Sequence, residues 1–183
     1  MDKLKDTVKK ILSVKKSENE LNETMKSLKR QVEETLPYVR ELMTRDIVYG
    51  NLNSCCSSQL ENLDLDVKRM FSVVIIHIND SNEQDMRENY MVMYDIRKYM
   101  AENVLGGMRT CSFLHSRASF VLMVYLDGSI GEQDATEKLL DYLNFSKDYI
   151  NNELGYKVVM CVGGISTEIE KAPEIYNGAE YTL

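Results

Sequence analysis

The chain has no tryptophan, two histidines, no CxxC pair and no apolar run approaching the roughly 20 residues that a membrane-spanning helix requires. Each absence removes a class of protein. His77 and His115 stand alone, with no His or Cys spaced against carboxylates as metal ligands are, so a zinc or iron site has no support. No Ser/His/Asp arrangement for nucleophilic catalysis can be drawn. The four cysteines are Cys55, Cys56, Cys111 and Cys161, and an ordinary disulfide between the adjacent pair would be strained. They read as reduced thiols of a cytoplasmic protein, Cys111 and Cys161 being small core residues on strands, with a regulatory thiol role for Cys55 and Cys56 as the alternative. No signal peptide is visible, and no membrane contact is expected from this stretch.

A dense basic patch is also missing. The net charge is −7 over 183 residues; residues 1–31 hold nine Lys/Arg against five acids, a local +4, which leaves −11 on the remainder. Affinity for a nucleic-acid backbone comes mainly from phosphate neutralisation, so direct DNA contact by this part is not expected. Apolar residues at 44% and charged residues at 28% exclude wholesale disorder and allow a sizeable core.

What is present begins with a heptad seam. Leu4, Ile11, Met25, Val32 and Val39 form one row, and Val14, Leu21, Leu28 and Leu42 form a second, three residues further on. Glu18 falls in the first row, Thr7 and Thr35 interrupt the second, and residues 15–20 are polar throughout. A narrow apolar stripe with a few polar breaks predicts a helix that pairs with a second copy, making residues 1–48 a dimerising rod. The alternative is an amphipathic helix folded back on its own domain.

Gly50, Asn51, Asn53 and residues 54–58 break that helix, and 49–70 reads as a connector. From Phe71 the periodicities alternate. Residues 71–79 form a β-branched apolar run, a buried central strand, and residues 83–103 have helical spacing and end before Gly106 and Gly107. Residues 108–114 and 120–126 read as a hairpin, 134–154 as a second helix, and 157–162 as a strand running into Gly163 and Gly164. A last helix is expected from Pro173. The order βαββαβ predicts an α+β domain of the ferredoxin-like kind, an antiparallel sheet with helices on one face.

On this pattern residues 71–183 resemble a GGDEF-type domain whose signature has been erased. Ser116, Arg117, Ala118 and Ser119 stand at the hairpin tip where the glycines, Asp and Glu would be, and only Phe120 matches. The metal-binding Asp of the first strand falls on His77, with Asn79 two residues beyond and Asp80 out of phase. Two metal ions on nucleotide phosphates need hard oxygen ligands, which Ser and Ala at this tip do not supply, so no cyclase activity and no cofactor is expected. Residues 28–50, with Leu36–Pro37, and the ending 176–183 (YNGAEYTL) are similar to the segments flanking the degenerate GGDEF-like domain of Firmicutes-type AraC-family transcriptional regulators.

That resemblance implies a non-catalytic regulatory module and homodimer. It would lie between an upstream sensor, either a receiver or a membrane-anchored ligand-binding domain, and a helix-turn-helix domain that carries the DNA contact and is absent from this chain. The competing reading is a small-molecule module whose vestigial cleft holds a nucleotide, with Arg117, Gly163 and Gly164 as candidate contacts. Turn formation accounts for the paired glycines more simply.

Overall fold

The structure is a computed structural model and describes residues 2–51, 65, 69–79 and 86–183. The chain forms two compact units, Met1–Val39 and Arg40–Leu183.

The described residues of the first unit are all helical. They belong to helix α1 (Asp2–Val48), which contains Pro37. Leu21, Met25, Leu28 and Val32 of the expected seam are exposed, as is Leu42 at the start of the second unit, while Val39 is half-buried. The Leu4, Ile11 and Val14 side chains lie outside the described residues. The other surface carries ion pairs one turn apart, Arg30 with Glu34 at 2.8 Å and Lys29 with Glu33 at 3.9 Å. Such exposed pairs contribute little beyond local helicity.

The second unit is built on four strands: β1 (Phe71–Ile78), β2 (Arg109–Leu114), β3 (Ser119–Tyr125) and β4 (Val158–Ser166). Every neighbouring pair is antiparallel and the order across the sheet is β2-β3-β1-β4. Helix α2 (Met86–Glu102) lies between β1 and β2 in the chain, α3 (Glu132–Asn152) between β3 and β4, and α4 (Ala172–Tyr181) closes it after a single 3-10 turn, Ile169–Lys171. The expected elements appear in the expected order.

Helices on one face alone were expected, and here the structure differs. Alternate residues of β1 feed two separate cores. Val74, Ile76 and Ile78 pack with Phe120, Leu122 and Val124 beneath Met93 and Ile96 of α2 and Leu139 and Tyr142 of α3. Phe71, Val73 and Ile75 pack with Val121, Met123 and Cys161 on the opposite face, beneath Ile47 and Val48 of α1 and Ala172, Ile175 and Tyr176 of α4. A strand that is apolar at every position, as β1 nearly is, cannot leave either face in water, so a second helical layer is the physical requirement.

Strand β4 also differs from expectation, continuing through Gly163 and Gly164 to Ser166. Val162 pairs with Val74 and Ile165 with Ser72, so the two glycines together oppose Val73 in a bulge. A β-carbon on Gly163 would collide with the carbonyl oxygen of Ile175, which is how α4 approaches the sheet so closely. No described helix is long and apolar enough to cross a membrane.

Candidate functional site

The end of α1 is set by its own sequence. Gly50 takes φ +73, the Gly50 amide donates to the Ile47 carbonyl at 3.1 Å, and the Asn51 amide donates to the Asp46 carbonyl at 2.8 Å. This pair of bonds, with glycine in the left-handed conformation one residue past the capping Tyr49, is the Schellman arrangement. It satisfies two carbonyls that would otherwise lack partners and turns the chain sharply. Space as well as torsion selects glycine here, because a β-carbon would stand 3.1 Å from Cγ of Pro173 at the start of α4.

That turn delivers Tyr49 into an aromatic and polar junction. Its ring meets Phe113 of β2 and Tyr176 of α4 edge to face, each at 5.5 Å between centroids. Its hydroxyl lies 3.1 Å from Nδ1 of His115, and the Tyr176 hydroxyl lies 3.4 Å from the same nitrogen. Tyr176 donates its proton to Oε1 of Glu180 at 3.0 Å, so toward His115 it can only accept. Burial, then the Glu180 carboxylate, raises the Tyr176 hydroxyl above the ordinary tyrosine range. Burial likewise raises Tyr49. Three parts of the fold therefore converge on one imidazole: the exit of α1, the β2–β3 hairpin and α4.

The residues singled out from the sequence lie mostly elsewhere. His115, whose ring has no partner near it in sequence, is half-buried and forms the centre of this junction. His77 is half-buried in β1, paired with Ser119 and Val159 on its two sides. The tip itself is closed by its own groups: the amides of His115 and Ser116 donate to the Ser119 carbonyl, and the Ser116 and Ser119 hydroxyls are 2.6 Å apart. Phe120 is a core residue, and Arg117 is exposed at the turn. Asp80, Cys55 and Cys56 lie outside the described residues.

Arg117 and Gly163 are not brought together. Ala118 receives the Ile78 amide at one end of β1, whereas Gly163 stands opposite Val73, five positions back along that strand, or about 16 Å at the usual rise. The space a ligand would need at Gly163 is filled by Ile175. Among the described residues no three His, Cys, Asp or Glu side chains group as metal ligands. Cys111 lines a cavity of about 250 Å³ with Arg40, Thr110 and Met108. Burial pushes its thiol up, the opposite of what a reactive thiolate needs.

Tyr49, Tyr176 and Glu180 were not picked out in the sequence. The only local signal is Gly50, which marks where α1 stops and hence where the residue before it must turn inward. No family model matches this chain, and no curated protein matches it.

Proposed function

We infer that the chain is the non-catalytic regulatory and dimerisation module of an AraC-type transcriptional regulator, a homodimer through α1 whose second unit is a degenerate GGDEF-like domain. The observation that carries this reading is the continuity of α1. One helix bears the exposed apolar row at Leu21, Met25, Leu28 and Val32 and, in its last turn, contributes Ile47 and Val48 to the core of the second unit. A helix with a pairing face at one end and core residues at the other is suited to passing a displacement onward.

The ferredoxin-like assignment is supported by the strand order β2-β3-β1-β4 with α2 and α3 on one face, which is a split βαβ arrangement used twice. The loss of catalysis is supported by the tip, where Ser116, Arg117, Ala118 and Ser119 offer no carboxylate to a metal ion on a nucleotide. In this reading the protein is cytoplasmic, takes its input from an upstream sensor and reaches DNA through a following helix-turn-helix domain. With Arg117 and Gly163 apart, no observation favours the nucleotide-binding alternative.

Sedimentation tests the dimer. The chain is expected to run as a dimer at micromolar concentration, and the double variant Met25→Glu/Leu28→Glu as a monomer with an intact second unit, because unpaired charge in a coiled-coil seam is not tolerated. A monomeric parent chain at high micromolar concentration would overturn the dimer reading. The reading frame around this segment tests the regulator assignment: a helix-turn-helix module directly after Leu183 supports it, and a natural stop codon there removes it.

A further inference from the structure

We propose that Tyr49, Gly50, Pro173 and Tyr176 form a latch through which the last turn of α1 and helix α4 hold one another in place, so that a change at either is felt at the other. The inference rests on the reading of α1 as a signalling helix and specifies where its signal leaves. Four independent contacts carry it. Ile47 and Val48 are fully buried in the same core as Ala172, Ile175, Tyr176 and Ala179. The Tyr49 ring is wedged between Phe113 and Tyr176. Its hydroxyl and that of Tyr176 share Nδ1 of His115. Gly50 sits against Pro173, the first-turn proline of α4.

Helix α4 is fixed at two places with different properties. On the sheet side the carbonyl of Ile175 rests on Gly163, a contact with no slack, since even a methyl group would clash. On the α1 side the contact is an aromatic ring and three polar groups, which have discrete alternative arrangements because each hydrogen bond is either made or broken. The proton arithmetic narrows them. The Tyr176 hydroxyl hydrogen is committed to its bond with Glu180, so an Nδ1 that accepts from Tyr49 makes no bond to Tyr176, whereas an Nδ1–H donates to either tyrosine oxygen. A small shift of Tyr49 changes which bonds exist rather than stretching all of them. The far end of α4 is open: Tyr181 is 95% exposed. Movement at the latch is therefore free to appear there.

Coupling of this kind is reciprocal by thermodynamic necessity, and that gives the test. Amide hydrogen exchange is measured on the full chain and on Tyr49→Ala and Tyr176→Ala, resolved by segment. Tyr49→Ala is expected to speed exchange in residues 172–181 at least tenfold, and Tyr176→Ala to speed exchange in residues 40–50 by a similar factor, with α2 and α3 unchanged in both. If either variant unfolds, Tyr49→Phe, which keeps the ring and deletes the hydroxyl, and Gly50→Ala, which presses on Pro173, are expected to produce the same pattern at severalfold. Unchanged α4 exchange in Tyr49→Ala and Tyr49→Phe, or equal acceleration of every element, overturns the latch. Sedimentation of the same samples separates the two claims: a monomer in which the reciprocal effect persists keeps the latch and loses the dimer relay.

Discussion

Arg97 of α2 and Glu41 of α1 form a 3.0 Å ion pair although their helices cover opposite faces of the sheet. They meet around the edge strand β2. Arg97 donates to the Ser112 carbonyl at 2.7 Å and to its hydroxyl at 2.9 Å, and the second oxygen of Glu41 takes the Leu114 amide at 3.4 Å. Free backbone groups on an edge strand invite pairing with another chain, and this clip occupies two of them.

With side chains 21% and 35% exposed, the pair is partly screened, and charge-assisted bonds to backbone carry most of its value. Glu41→Ala and Arg97→Ala are each expected to cost about 1–2 kcal/mol. The double variant should cost clearly less than the sum, because both changes open the same clip. Urea unfolding of the four proteins measures this, and full additivity would show that the two residues act separately.

Gly163 and Gly164 are adjacent in sequence and opposite in consequence. A β-carbon on Gly163 meets the Ile175 backbone, which cannot swing aside as a side-chain end can, whereas on Gly164 it meets nothing within 4 Å. Gly163→Ala should therefore destabilise by about 2 kcal/mol or more, in the range of overpacked cores, and Gly164→Ala by much less. Thermal melts of the two single variants decide it.

Tyr142 donates its hydroxyl to the Met100 carbonyl at 2.6 Å, near the end of α2 where carbonyls run out of helical partners. Burial raises this hydroxyl well above the ordinary tyrosine range. A tyrosine whose folded pKa exceeds its unfolded one contributes stability that is intact below about pH 10 and is lost as pH rises further. Stability of the parent chain should therefore fall above about pH 10. Tyr142→Phe should cost about 1–2 kcal/mol at pH 7 and flatten the alkaline fall, which Tyr176, raised in the same direction, still produces in part. Urea midpoints from pH 7 to 11 check both the offset and the slope.

Ser72 is fully buried on β1 and its hydroxyl has no partner among the described residues. Ser72→Ala should raise stability by about 1 kcal/mol by deleting an unsatisfied polar group without opening a large void. A drop in melting temperature would mean that the hydroxyl has a partner in solution.

Much of the second unit was legible in the residues alone. Short apolar, β-branched runs bounded by turn residues marked the four strands, 3.6-residue periodicity marked α2 and α3, and Gly50 marked the end of α1. These are local properties: each follows from torsions and from which face of one element is apolar. The apolar row of α1 is legible for the same reason, and its members Leu21, Met25, Leu28 and Val32 are exposed.

Tertiary structure alone decided what covers what. The unbroken apolar run of β1 called for cover on both faces, but periodicity does not say which distant segment supplies it, and the answer was α4 together with the last turn of α1. The pairs that organise the unit join Glu41 to Arg97 and Tyr49 to His115, 56 and 66 positions apart. At such separations local pattern carries no information about the partner; the packing of two helices against the second face selects it, and with it the one imidazole on which α1, the hairpin and α4 converge.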